Sequence, residues 1–185
     1  MIQITQAKND ADLLGILTLQ QQNLVKNITP AEAATQGFVT VVHDLDILRS
    51  MNDAAPHTIA KDGDKVVGYA LTMLPQFRTD IPFLTSLFDM LDELPWKGRY
   101  FKALPYFVMG QVCVAKEYRG MGVFEQLYQG LRSFNAERFE VVGTDISSRN
   151  TRSLRAHERI GFERLSEFAV DDSGEKWIIV GWGLR

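Results

Sequence analysis

Arg119-Gly120-Met121-Gly122-Val123 falls where an apolar strand gives way to a helix, a placement suited to holding an anion. Two glycines one residue apart let the backbone turn tightly and approach a ligand with no Cβ in the way. The first N–H groups of the following helix have no partner inside it, so a phosphate at its end gains hydrogen bonds and favourable helix electrostatics. Arg119 adds the capacity for charge-assisted bonds. The same turn serves equally as a strand–helix connection with no ligand. Two nucleotide patterns are absent: no Gly-Lys-Ser/Thr run occurs, and no third glycine completes the Gly-x-Gly-x-x-Gly spacing.

Asn150, Ser153 and His157 are spaced three and four apart, which lines them along one side of a helix beginning near Ser148. Leu154, Ala156 and Ile160 run beside them, and Gly161-Phe162 marks the helix end and the next apolar anchor. Such a polar line suits the rim of a cleft, and it suits an ordinary solvent-facing helix as well. Cys113 stands alone between Val112 and Val114, where strand alternation gives it the opposite face and a packing role. One cysteine excludes an intrachain disulfide or a cysteine metal cluster, and His43, His57 and His157 have no short ligand spacing, so no metal is expected.

The elements that must position these residues follow from periodicity and turn chemistry. Residues 2–5 read as a strand, 10–25 as a helix, and Thr29-Pro30 as the start of another. Residues 37–40 break that helical pattern with a β-favouring segment, and 44–54 return to helix. Asp62-Gly63-Asp64 joins residues 57–61 and 65–74 as an antiparallel hairpin. Ile81, Leu84, Leu87, Phe88, Leu91 and Leu94 form one apolar stripe that Pro95 stops. Residues 96–105 read as a loop and 106–115 as a strand. Thereafter helix 120–136, strand 139–144, helix 149–160 and strands 162–170 and 176–183 follow, the last two joined by the Asp171-Asp172-Ser173-Gly174 turn.

No internal repeat or linker divides the chain, so one domain over residues 1–185 is expected, of mixed α+β class: a central mixed, mostly antiparallel sheet flanked by helices. With 185 residues, 45% of them hydrophobic, the chain is long enough to bury a substantial core. A formal charge of −3 removes the basic excess that favours nucleic acid. Without an apolar run of transmembrane length or the layout of a signal peptide, the expectation is a cytoplasmic protein with no membrane partner. The apolar run from Trp177 to Trp182 suits a sheet core or the edge of a homodimer equally.

Together the two polar segments resemble the GCN5-related N-acetyltransferase (GNAT) superfamily. The run from Gly110 through Val112, Val114 and Arg119-Gly120-Met121-Gly122-Val123-Phe124 looks like the family's central strand and its Arg/Gln-x-x-Gly-x-Gly/Ala pyrophosphate loop. The run from Asn150 to Gly161-Phe162 looks like the family's later signature, an Asn-initiated helix ending in Gly-Phe. The resemblance implies acetyl-CoA as cosubstrate, with pyrophosphate on Arg119, Gly120, Met121, Gly122, Val123 and Phe124, pantetheine along Val112 and Val114, and Asn150 and Ser153 on the cofactor arm. There are two departures: Phe124 replaces the family's Gly or Ala, and His157 stands where many members carry a tyrosine near the cofactor sulfur.

What the resemblance implies is an N-acetyltransferase acting directly on a primary amine of a small molecule or a peptide or protein. The alternative is a non-catalytic acyl-CoA-binding or regulatory protein on the same fold. Catalytic expectations fall on His157 as proton donor to the departing thiolate and Glu117 as acceptor of the amine proton. A strand N–H near Val114 is placed to polarise the thioester carbonyl. The acceptor pocket is expected from residues 27–40 and 96–107, with Phe38, Trp96, Tyr100, Phe101 and Phe107 as candidate walls, and Asp44 and Asp46 as candidate attractors of an amine.

Overall fold

Residues 1–169 and 175–185 are described by the computed structural model. The first half lays down β1 (Ile2–Gln6), α1 (Asp10–Asn23), α2 (Pro30–Gln36), α3 (Leu45–Ala54) and the hairpin β2 (Thr58–Asp62) with β3 (Lys65–Met73). Each helix starts at a side chain that accepts a first-turn N–H: Asn9 from Asp12, Thr29 from Glu32 and Asp44 from Ile47. Residues 37–40, read as β-favouring, contribute one parallel bridge, Leu24 to Val39. α4 (Pro82–Asp92) buries Leu84, Leu87, Phe88 and Leu91 of the expected stripe.

Residues 96–105 hold more order than a loop. β4 (Pro95–Trp96) and β5 (Arg99–Tyr100) pair across Lys97 and Gly98, whose φ angles of 47° and 84° are both positive. Two such residues reverse the chain with the twist a tight hairpin needs. The turn buries Trp96 and Phe101, ring centroids 6.0 Å apart, against the core.

The second half contains β6 (Tyr106–Val114), α5 (Val123–Asn135), β7 (Val141–Ser147), α6 (Thr151–Ile160), β8 (Glu163–Ala169) and β9 (Lys176–Gly183). The large sheet runs β1-β2-β3-β6-β7-β9-β8, and β6–β7 is its parallel pair, bridged by the α5 crossover. Its remaining neighbours are antiparallel, so the mixed, mostly antiparallel α/β reading is what is found. The Asp171-Asp172-Ser173-Gly174 turn lies outside the described residues. β9 sits between β7 and β8, and that interior position accounts for its apolar run. β8 closes the edge with an exposed, charged strand of Glu163, Arg164 and Glu167, which discourages further pairing.

One apolar cluster joins α1, α3 and α4 to the sheet through Leu13, Ile16, Leu48, Met51, Leu87 and Tyr69. A second lies under α5 and α6, around Tyr128, Leu131, Leu154, Phe107 and Val142. Polar groups within these layers are tied locally. His57 accepts the Thr72 N–H at Nδ1 (3.1 Å) and donates from Nε2 to the Leu48 carbonyl (3.2 Å). Gln20 accepts the His43 N–H and donates to the His43 carbonyl, holding the residue before α3 against α1.

Burial pushes His43 down to about 4 and His57 to about 3. A histidine kept neutral in the fold stabilises it above its unfolded pKa of 6.5, and that stability is lost as pH falls from there towards the folded values. Asp145, raised by burial to about 7, acts in the opposite sense between the ordinary aspartate value of 3.8 and 7. The urea midpoint should therefore respond to acid below pH 6.5, and His43→Phe should flatten the response, because Gln20 keeps its backbone bonds to residue 43. An unchanged slope in that variant would remove His43 from the account.

Candidate active site

β6 and β7 pair at three positions, Tyr106↔Val141, Phe107↔Val142 and Val108↔Gly143, and no further. Beyond them β6 stays with β3 and β7 with β9, so the centre of the sheet divides into a V. A register shift opposite Ala70–Thr72 bends β6 where the separation starts, as bulges do. The Thr144 hydroxyl donates to the Met109 carbonyl at 2.8 Å and closes the apex.

On the α5/α6 side the V opens into a cleft of about 790 Å³. It is lined by Val112 and Val114 of β6, by Arg119, Gly120, Gly122, Val123 and Phe124, and by Asn150 and Ser153. Of the residues implicated on the donor side, Met121 is the one that does not line it; its side chain is exposed at the tip of the turn. Gly120 and Gly122 have φ of 77° and 74°, conformations that glycine adopts without strain. Gly122 is the N-cap of α5 and carries no side-chain cap, so the first-turn amides face the cleft mouth uncapped.

Arg119 is tied down more than its sequence position suggests. Its Nε donates to the Val114 carbonyl (3.1 Å) and its Nη2 to Asn23 Oδ1 (2.5 Å), bracing the end of β6 against α1. Nη1 is buried with no partner, a donor left over at the edge of the cleft. Arg152, Arg155 and Arg159 of α6 add positive charge to the same opening. A glycine turn, uncapped amides, a spare guanidinium nitrogen and flanking arginines fit a phosphate-bearing ligand such as coenzyme A.

The N-cap of α6 also ties the V to the first half of the chain. Asn150 Oδ1 accepts from the Ser153 N–H, and its Nδ2 donates to the Phe38 carbonyl at 3.1 Å. Arg152 Nη1 donates to the Thr35 carbonyl and to Gln36 Oε1. Residues 35–41 thus form a strap across the opening. Gly37 passes so near Asn150 that a Cβ would lie 3.0 Å from Oδ1.

His157 and Glu117 end in different surroundings. His157 is 1% exposed; its Nδ1 donates to the Ser153 carbonyl (2.8 Å), and its Nε2 accepts the Tyr128 hydroxyl (2.6 Å). Burial lowers it to about 4, so the ring stays neutral with both nitrogens engaged. Phe124 packs on it and on Tyr128, centroids 5.2 and 5.0 Å away, within an aromatic group continued by Phe162 and Trp182. The two departures from the family pattern are thereby linked, since Phe124 covers the ring of His157. Glu117 is exposed on the turn after β6 and lines neither side of the V. Cys113 is buried and its thiol is pushed up to about 12 by burial, as befits a packing residue.

On the other side of the V lies a smaller cavity of about 70 Å³. It contains Asp145, a residue the sequence does not mark. The strand expected over 139–144 runs instead over Val141–Ser147, because Thr144-Asp145-Ile146-Ser147 pairs residue by residue with β9. Of the expected acceptor walls, Phe38 is at this cavity, while Trp96, Phe101 and Phe107 are core and Tyr100 is exposed. Asp44 caps α3, and Asp46 pairs with Arg49 on the surface.

A divided central sheet, an uncapped helix after a glycine turn and an arginine-flanked cleft set the mixed α/β fold in a recognisable class, that of the acetyltransferases. The acetyltransferase (GNAT) family model matches residues 26–162, and the chain belongs to that family. Among curated proteins no significant sequence relative is found. Solved structures share the fold at low identity. The ribosomal-protein-S18-alanine N-acetyltransferase of Escherichia coli matches at 13% identity and TM-score 0.63, covering 100% of this chain and 95% of that one. A candidate acetyltransferase of Salmonella typhimurium, solved with its cofactor acetyl-CoA, matches at 18% and 0.64, covering 100% and 94%. The NatC complex bound to Gag peptide and CoA matches at 13% and 0.66, covering 100% and 99%.

The Tyr128–His157 bond joins α5 to α6 beneath the cleft. Tyr128→Phe should leave a buried imidazole nitrogen without a partner and cost about 1–3 kcal/mol of unfolding free energy. The double variant Tyr128→Phe/His157→Phe should lose less than the two single losses added, measured by urea unfolding. Strict additivity would mean that the pair is not coupled.

Proposed function

We propose that the chain transfers an acetyl group from acetyl-CoA directly to a primary amine. The observation that carries this is the separation of β6 from β7 after Val108, which leaves unpaired strand edge between a phosphate-suited turn and a second cavity. Acetyl-CoA, when bound, supplies a thioester carbonyl and a thiolate leaving group. In this reading the α5 amides at Val123 and Phe124, with Gly120, Met121 and Gly122, bind the pyrophosphate, and Arg119 holds the loop in shape while offering Nη1. The β6 edge at Val112 and Val114 receives the pantetheine amides, and a backbone N–H there polarises the carbonyl. Asn150 and Ser153 line the narrow passage between the two sides.

Holding both reactants in one passage supplies much of the acceleration, because their encounter no longer costs translational freedom. His157 acts as a positioning residue: its Nδ1–H fixes Ser153, and Tyr128 fixes the imidazole. A thiol with an ordinary pKa near 8.5 needs no strong acid to depart, and the proton lost by the attacking nitrogen is sufficient. Glu117 lies outside both cavities and serves the turn that carries Arg119. The chain has no segment among its described residues long and apolar enough to cross a membrane, and we place its action in the cytoplasm on a small-molecule or peptide amine. The reading spans residues 1–185 as one unit.

Gly122→Val forces a branched side chain into a left-handed conformation at the phosphate turn. It should weaken CoA binding at least tenfold by calorimetry in a protein that keeps its circular dichroism; wild-type affinity would remove the turn from the binding site. Acetyl-CoA consumption with a panel of amines tests the activity itself. Tight CoA binding with no transfer to any amine would favour the non-catalytic alternative.

A further inference from the structure

Asp145 lies across the strand pair from Ile179 and shares its face of β7 with Gly143, which abuts Leu91 of α4, and with Ser147. The donor cleft opens against α5 and α6; this face looks towards α4. The cavity of about 70 Å³ around Asp145 has room for on the order of five water-sized groups, enough for the head of a small molecule. It touches the donor cleft through the shared walls Phe38, Val112, Asn150 and Ser153.

Two things distinguish this carboxylate. It forms no ion pair among the described residues, and its hydrogen bond is to its own backbone N–H. Arg149 and the Ser147 hydroxyl, its nearest polar neighbours in sequence, are both engaged by Glu175, at 2.7 and 2.5 Å. Among the described residues the cavity is lined by no lysine or arginine, and its titratable groups there are Asp145 and the neutral, fully bonded His157. The remaining wall is mixed: Thr40, Gln111, Asn150 and Ser153 are polar, while an aromatic side is made by Phe38 from the strap and by Phe83 of α4, 43% exposed and edge-on to Trp177 at 5.2 Å. A half-buried carboxylate facing a cavity without a cation is costly, and a cationic ligand relieves that cost.

We propose that Asp145 receives the ammonium group of the acceptor in this cavity and removes its proton, and that the acceptor is a monoamine on an apolar or aromatic stem. The assignment rests on the acetyl-transfer reading. One carboxylate answers one positive charge. A free amino acid would leave its own carboxylate among Phe38, Phe83 and Trp177 with no cation to meet it, and a polyamine would leave its second ammonium unpaired. The proton passes from R–NH3⁺ to the Asp145 carboxylate, leaving R–NH2. The nitrogen lone pair then forms the C–N bond to the acetyl carbonyl as the C–S bond breaks and its electrons leave with sulfur. The second nitrogen proton goes to that thiolate, giving the amide and CoA–SH, and Asp145 returns its proton to water.

Burial holds Asp145 at about 7, so its charged fraction rises about tenfold between pH 6 and pH 8. His157 is neutral throughout that range, and Glu175 is already paired with Arg149. Calorimetric titration of the full chain with 2-phenylethylamine, without acetyl-CoA, should therefore show affinity rising about tenfold from pH 6 to pH 8. Phenylalanine, the same stem with a carboxylate, should bind at least tenfold more weakly. Asp145→Asn should lose at least tenfold at pH 8 together with the pH dependence, and Asp145→Ala, as a second variant, should do the same. Wild-type binding in both variants, a flat pH profile, or equal binding of phenylalanine overturns the proposal. CoA titration of the same proteins separates the two readings. Failure of the wild type to bind CoA removes the transfer reading and leaves the ammonium site standing, whereas unaltered CoA affinity in Asp145→Asn confines its defect to the acceptor side.

Discussion

Three residue pairs hold β6 to β7, and everything distinctive about the molecule follows from the pairing stopping there. Backbone donors and acceptors at the centre of a sheet are ordinarily consumed by a neighbouring strand. Here the bulge in β6 turns the strand aside while β7 continues along β9, and the exposed edges face one another across a gap. A gap through the middle of a sheet can be entered from either face. That is why one side carries the glycine turn and arginines while the other carries a carboxylate in a cavity that aromatic side chains help to line. The helices on each face fix what those entrances contain.

The sequence was most informative where local chemistry sets local shape. Thr29 caps the helix it precedes, Asp62-Gly63-Asp64 turns the hairpin, and the glycines at 120 and 122 make the tight turn that their spacing suggested. The residues between 95 and 105 were harder to read, because Lys97 adopts a positive φ that lysine seldom does. Asp145 was harder still. It falls past the end of the strand expected over 139–144, which is extended by pairing with β9, some thirty residues later. The lack of a cation beside it is a property of the whole cavity, and no spacing along the chain records that.

His157 and Phe124 show how a family pattern changes in concert. The ring at 157 is held by the Tyr128 hydroxyl, and Phe124 fills the space beside both. A small residue at 124 would uncover the pair, and loss of the Tyr128 hydroxyl would strand a buried imidazole nitrogen. The three positions form one packed unit on which Ser153 and the start of α6 rest. Substitution at any of them is expected to act through shape and order at the cleft wall.

The strap of residues 35–41 has a thermodynamic consequence. Phe38 and its partner Asn150 belong to the walls of both cavities, so a ligand on either side meets the same few groups. Whatever one ligand contributes to ordering the strap, its counterpart no longer has to supply. Linkage makes that effect mutual: the factor by which a ligand in one cavity changes affinity in the other equals the factor in the reverse direction. A peptide bridge of a few residues can therefore make the two cavities cooperative without their occupants touching each other.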